Sequence, residues 1–354
     1  MSSQQQIREQ VKEEVISRIK DFLPPEFSGA EIALQEVTKN NGVKLDALNI
    51  RRDGQDKAVP AIYLNGFYEQ YENGAEIEVI LEEIAEMHLT HLRGGESMQT
   101  AADRFMDPEY VKDNVIIVTV NAEKNADLLR ESPHMVKEDL AMIYKVYVGQ
   151  TDGEYASVTV KNEHLKMWGI SQEELHERAL SNSNRLNPAE FMKITEMLKM
   201  MGMPDCMSDA MGEERFPLYV ITNRQKLHGA AVIMYSNCLE QLSEKLGCDL
   251  YILPSSIHEV LALPVNNGDA KELAMMVREI NQSTVAETEV LSDSVYKYDA
   301  KKKDFAIEYS ADMEQLKKDE VFAQDSMTVE DSITVEVNTE TEGAAKPRHH
   351  RKGR

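Results

Sequence analysis

Over residues 7–22 the apolar positions Ile7, Val11, Val15 and Ile19 recur at helical spacing with charges between them, which predicts an amphipathic helix stopped by Pro24-Pro25. Residues 31–39 and 43–51 read as strands, and Asn40-Asn41-Gly42 between them supplies the positive φ angles of a tight hairpin turn. The apolar phase shifts between Val43, Leu45 and Leu48, Ile50, so a bulge near Asp46-Ala47 is expected if both pairs are to share one face. A third strand is expected over residues 58–64, followed by an aromatic patch at Phe67, Tyr68 and Tyr71 that plugs the end of a sheet. Residues 76–92 place Ile77, Ile80, Leu81, Ile84, Met87, His88 and His91 along one side of a helix. Residues 113–121 are apolar on both faces and read as a central strand, with Asn121 placed to cap a short helix. Residues 140–148 and 155–160 form a second hairpin, and a short helix over 163–168 ends at Gly169. Ser171 and Glu174 make a capping box for the helix that runs to about Leu180, and the polar stretch 181–187 reads as a hinge.

Beyond that hinge, Phe191, Ile194, Leu198 and Met201 fit one helical face within a run rich in methionine that extends to Met211. Strands are expected at 218–222 and 230–235, then a helix capped by Asn237 with Glu240 and closed by Gly247. Two short buried strands follow, Asp249 to Leu253 and Val260 to Leu263, each closed by a proline, and a last helix starts at Asp269 and runs to Asn281. The fold class expected is α+β: two lobes, each a small, mostly antiparallel sheet with covering helices. The boundaries are 1–180 for the first lobe, 181–215 for a methionine-rich connector, 216–310 for the second lobe and 311–354 for a disordered acidic tail.

Composition narrows the setting. A formal net charge of -23 repels phosphate backbones and anionic lipid, which disfavours nucleic-acid and membrane-surface binding. Cys206, Cys238 and Cys248 form no Cys-x-x-Cys pair and fit free thiols in a reducing compartment, so a cytoplasmic location is expected. The start lacks the pattern of a secretory signal, and no apolar run reaches membrane-spanning length. The last residues, Lys346 to Arg354, reverse the sign of the tail and suit a contact with nucleic acid or an acidic partner, or more simply with the chain's own acidic tail or body.

Candidate chemistry is concentrated between the paired strands, in Ser255, Ser256, His258 and Glu259. These are the residue types of a serine nucleophile, its base and an orienting acid. The competing reading is turn chemistry: a serine after proline bonds to nearby backbone, and adjacent His258 and Glu259 diverge on a strand, so a more distant acid would have to hold the imidazole. His88 and His91 could show two imidazoles to one metal, but no matching pattern completes a ligand set. No Walker loop, dinucleotide fingerprint, kinase set, nucleophile elbow or zinc ribbon is present, which disfavours most familiar nucleotide enzymes and leaves the cofactor open.

Several separate stretches, in order, carry a family resemblance: Tyr63-Leu64-Asn65 with Tyr68-Glu69-Gln70-Tyr71-Glu72-Asn73-Gly74, Leu218-Tyr219-Val220-Ile221-Thr222-Asn223, His228-Gly229-Ala230-Ala231, Ile252-Leu253-Pro254-Ser255-Ser256-Ile257-His258-Glu259-Val260 and Leu291-Ser292-Asp293-Ser294-Val295-Tyr296. Over residues 7–307 the chain resembles an uncharacterised domain-of-unknown-function family of anaerobic Gram-positive gut bacteria. The resemblance implies a cytoplasmic bacterial protein and assigns no residue a role. Three functions stand at this point. The first is a non-enzymatic binding or regulatory protein that meets a protein partner through its methionine-rich segment or tail. The second is a hydrolase using Ser255 or Ser256 with His258, and the third an acidic mimic of nucleic acid.

Overall fold

The computed structural model describes residues 3–52, 59, 61–93, 98–151, 154–200, 202, 217–254 and 256–310. Ser255, residues 201 and 203–211 of the methionine-rich run and the acidic tail with its basic tip therefore lie outside the described residues. The arrangement is a mixed α+β one with three sheets among the described residues.

The first sheet has the order β1 (Glu31–Thr38), β2 (Lys44–Arg51), β3 (Ile62–Tyr63). Its β1–β2 register runs unbroken from Glu31 opposite Arg51 to Thr38 opposite Lys44, so the bulge expected at Asp46-Ala47 is absent. The apolar phase shift has a simpler cause: Leu45 pairs with Val37 on one face while Leu48 and Ile50 are buried on the other. That inner face packs on Val11, Val15 and Ile19 at the N-terminal helix and on Ile80, Leu81 and Ile84 of the helix Ile77–Arg93. His88 of the same helix is buried with its ring edge against Phe27, centroids 5.4 Å apart.

In the second sheet, β4 (Val115–Asn121) pairs with β6 (Leu140–Thr151), and both β5 (His134–Lys137) and β7 (Glu154–Thr159) pair with β6. The strand expected at the centre, β4, is thus an edge that is nonetheless buried along its whole length. Its cover is the helix Gln172–Leu186, which includes most of the segment read as a hinge. Ser183 Oγ accepts the Ile117 N–H at 2.8 Å, and Asn182 Nδ2 donates to the Val115 and Lys112 carbonyls at 3.0 and 2.9 Å. The polarity that looked like a flexible loop instead answers the free backbone groups of a buried strand edge.

The third sheet is antiparallel throughout, in the order β13-β12-β10-β11-β9-β8, with β8 (Ala189–Lys193), β9 (Tyr219–Asn223), β10 (Leu250–Leu253), β11 (Val260–Pro264), β12 (Val295–Asp299) and β13 (Asp304–Tyr309). The pair anticipated from residues 250–264 is present as β10 and β11. Two other readings change. Phe191 lies on β8 opposite Ile221 and is not part of a helical stripe with Ile194 and Leu198. Residues 230–235, expected as a strand, form a helical turn Gly229–Ala231 and the helix Val232–Tyr235, because a short, wholly buried apolar run carries no period that separates helix from strand.

One hydrophobic cluster joins the second and third sheets, from Val111 and Tyr144 through Ile221 and Val260 to Tyr296 and Phe305. It crosses the boundary drawn at 181–215, and the chain through Tyr309 forms one compact unit. Polar contacts add to it. Ser292, Ser294 and Tyr296, at alternate positions and so on one side of the chain, all donate to the carboxylate of Asp139, which precedes β6. Burial and that carboxylate together raise the Tyr296 phenol well above its ordinary pKa.

The tip of the β1–β2 hairpin ties all three sheets. Asn41 holds a left-handed φ of 61° and donates from Nδ2 to the Glu287 and Val290 carbonyls at 2.8 and 2.7 Å, beside the third sheet. Its N–H donates to Asn125 Oδ1 at 2.9 Å and its Oδ1 accepts from Asn125 Nδ2 at 3.1 Å, just beyond β4. Asn121 adds a bond to the Leu291 carbonyl at 3.1 Å. Asn41→Ala removes three side-chain bonds and puts a β-carbon without polar compensation in left-handed space, so it is expected to cost about 2–4 kcal/mol in urea unfolding. Asn41→Gly keeps the conformation and should cost less; a loss below about 0.5 kcal/mol for Asn41→Ala would contradict the role given to this tip.

Candidate functional site

β10 ends at Leu253, and from Ser256 the chain runs beside residues 289–290 before β11 begins at Val260. Ser256 forms an isolated bridge with Val290, and the Ile257 N–H donates to the Glu289 carbonyl at 2.9 Å. Ser256 is buried, and its Oγ accepts the His258 N–H at 3.0 Å, which is a serine turn. On the neighbouring strand Thr222 Oγ1 donates to the His258 carbonyl at 2.8 Å, and Asn223 closes the loop beyond it by bonding both the N–H and the carbonyl of Leu227.

Gly229 makes this convergence possible. A β-carbon there would sit 2.1 Å from Thr222 Oγ1, 2.3 Å from the His258 carbonyl oxygen and 2.8 Å from Asn223 N, so only glycine admits so close an approach of three backbones. The preceding residue, His228, is left-handed at φ 52°, and its N–H donates to His258 Nδ1 at 3.3 Å. The two imidazoles stack with centroids 5.8 Å apart and planes 19° from parallel. Because Nδ1 of His258 is the acceptor, its proton sits on Nε2, and Nε2 lies 3.6 Å from Glu289 Oε1. The acid facing His258 is therefore Glu289, supplied from a distant segment, while the adjacent Glu259 is half-buried on the approach to β11.

Of the sequence-predicted group, Ser256, His258 and Glu259 lie on one turn, and Ser255 is outside the described residues. No hydrogen bond joins Ser256 Oγ to the His258 ring among the described residues. The ring nitrogens are taken by backbone and faced by Glu289, and the serine oxygen is taken by a turn. Among the described residues no group of three or more His, Cys, Asp or Glu side chains is placed to hold a metal ion, and no helix is long and apolar enough to cross a membrane. Cys238 and Cys248 carry free thiols.

Two basic residues beside this turn escaped the sequence reading. Burial, the Lys145 charge and His258 push the His228 imidazole down to about 3. Lys145 lies within β6, opposite Ile116, and burial followed by the Lys39 charge holds its ammonium below the ordinary lysine range. The signal for Lys145 was visible: it is the lone charge in the run Leu140-Ala141-Met142-Ile143-Tyr144-Lys145-Val146-Tyr147-Val148. His228 carried none beyond its place in the His228-Gly229-Ala230-Ala231 stretch, since its importance comes from the fold of the next glycine.

Two outcomes follow from this geometry. Gly229→Ala is expected to cost more than about 3 kcal/mol or to prevent folding, whereas Gly66→Ala, with nothing within 4 Å of the added carbon, should be near neutral; equal small losses would contradict the packing. Between an unfolded value of about 6.5 and the folded value of about 3, the unfolded chain binds a proton at His228 that the folded chain does not, so this group makes stability fall as pH falls through that window. In His228→Asn, which tolerates a left-handed φ, urea midpoints should fall less steeply over the same range, and an unchanged slope would contradict a buried neutral imidazole.

The turn, the Thr222-Asn223 pair, the His228-Gly229 corner and the Asp139 clamp all lie within the stretch matched by one family model. Residues 8–300 match the model described as a family of unknown function, DUF5688. No curated protein and no solved structure matches the chain. With most of its length covered by that match, the chain belongs to the family of unknown function DUF5688.

Proposed function

We propose that this is a non-enzymatic binding or regulatory protein that takes a small ligand at the corner where His228 and His258 stack. The observation that carries this reading is the engagement of Ser256 and His258, two of the groups the hydrolase would use. A base must accept the nucleophile's proton, and His258 Nδ1 is already an acceptor for the His228 N–H while its Nε2 carries a proton toward Glu289. Ser256 Oγ accepts the His258 N–H and makes no hydrogen bond to the His258 ring among the described residues. What remains accessible is a partly open imidazole and a carboxylate on a framework held by backbone bonds, which is the make-up of a recognition site. Free thiols and the resemblance to a bacterial family support a cytoplasmic setting. Contact with a protein partner through the methionine-rich segment or the tail belongs to the same reading.

The competing hydrolase predicts a reactive serine. A fluorophosphonate probe is expected to leave the folded protein unlabelled, while a metabolite screen by thermal shift finds a compound whose stabilisation disappears in His258→Asn, a variant that keeps an acceptor for the His228 N–H. Labelling lost in Ser255→Ala or Ser256→Ala would overturn the binding reading in favour of catalysis.

A further inference from the structure

We propose that a cavity between the second and third sheets, apart from the His258 corner, binds an α-amino acid with a large apolar side chain. The cavity has a volume of about 310 Å³ and is lined by Lys137 on β5, Met142 on β6, the start of the helix Cys238–Leu246, and β12 and β13 with the turn that joins them. That volume suits a single metabolite, at the small end of ligand pockets of roughly 300–1,000 Å³. Part of the wall is apolar: Met142, Ile233, Leu239 and Phe305 are buried members of the cluster that joins these two sheets. One polar group on the wall lacks a partner. Tyr298 is only 4% exposed, lines the cavity, and makes no hydrogen bond through its hydroxyl among the described residues. Two positions earlier on the same face of β12, the Tyr296 hydroxyl is bonded to Asp139. A tyrosine buried to this extent usually has a partner for its O–H, so the unmatched hydroxyl marks a place for a ligand atom.

The rim supplies charges of both signs. Lys137 pairs with Asp304 and Lys303 pairs with Glu240, and all four residues line the cavity. In each pair one partner is exposed and the other covered: Lys137 and Glu240 are 30% and 29% exposed, against 63% for Asp304 and 62% for Lys303. The covered charges are therefore one cation and one anion. The Lys137 ammonium is also held over the Phe305 ring, 4.5 Å from its centroid. On the opposite wall Asn237, the N-cap of the helix Cys238–Leu246, gives that helix no side-chain cap, and its Oδ1 accepts from Gln241 Nε2. The helix start thus adds positive potential beside Glu240. A ligand with a lone negative charge would meet Glu240 and Asp304, one with a lone positive charge would meet Lys137 and Lys303, and a neutral apolar molecule would leave the rim unused. A zwitterion matches it. The ligand carboxylate takes the place of Asp304 at Lys137, its ammonium takes the place of Lys303 at Glu240, and its side chain lies on the apolar wall beside the Tyr298 hydroxyl. Ion pairs with one exposed partner contribute little, so exchanging Asp304 and Lys303 for the ligand's charges costs little.

The test is calorimetric titration of L-phenylalanine, L-tyrosine, L-tryptophan, L-leucine and L-methionine, each separately, into the full chain. The expected result is saturable binding of at least one of them, weakened at least about tenfold in Lys137→Met and in Glu240→Gln. Its N-acetyl and methyl-ester derivatives, each lacking one of the two charges, should not bind. Tyr298→Phe should weaken binding while its melting temperature stays that of the parent chain, because the hydroxyl it removes bonds nothing in the protein. His258→Asn should bind the amino acid as the parent chain does. Absence of saturable heat with all five, equal affinity in the two rim variants, binding of the derivatives, or a lower melting temperature for Tyr298→Phe would overturn the proposal. Loss of binding in His258→Asn, with the rim variants unaffected, would place the amino acid at the His258 corner: the binding reading above would survive and this site would fail.

Discussion

The fold turns on an amide held in an unusual backbone conformation. Asn41 tolerates left-handed φ because its short polar side chain can bond locally, and here the same side chain reaches outward instead. By exchanging hydrogen bonds with Asn125 and donating to the Glu287 and Val290 carbonyls, it fixes the hairpin of the first sheet against the end of β4 and against the segment that leads into β12. That segment in turn holds Ser256 and Ile257 by backbone bonds, so the position of the His258 turn depends on a residue more than two hundred positions away in sequence.

A second dependence is on polar side chains that serve backbone. Ser183 and Asn182 cover the free edge of β4, Thr222 and Asn223 hold the loops beside His258, and Asp139 gathers three hydroxyls ahead of β12. Each satisfies groups that burial would otherwise leave costly. The first sheet, by contrast, rests on apolar packing with two helices. The Nδ1 of His228 is an exception, buried with no hydrogen-bond partner among the described residues, as are the hydroxyls of Thr119, Ser132 and Thr195.

Sequence reasoning reached the elements whose signals are local. The Asn-Gly turn, the caps at Ser171 and Asp269, the closing glycines Gly169 and Gly247 and the paired strands β10 and β11 all follow from residues within a few positions of one another. It failed where a partner distant in the chain decides the outcome. Asparagines at 182 and 184 look like loop residues until the carbonyls they serve are in place, and an apolar run at 230–235 has no period to read. Within the candidate site, His258 was legible as a chemical group and the need for a distant acid was foreseen, but Glu289 itself and the stacked His228 arise only from the topology, and Lys145 shows in the sequence only as the lone charge of its strand. The stretches Leu291-Ser292-Asp293-Ser294-Val295-Tyr296 and His228-Gly229-Ala230-Ala231 were noticed as motifs, and the structure supplies their physical reasons: a shared carboxylate and a three-way backbone approach.

The central claim is that the asparagine tip makes the three sheets one cooperative unit. Native-state hydrogen exchange measures this most directly, through the opening free energies of core amides in each sheet under mild denaturant. The account predicts that slowly exchanging amides of β2, β6 and β10 converge on one common unfolding free energy. Separate opening of the first sheet at a clearly lower free energy, with the other two still protected, would contradict it.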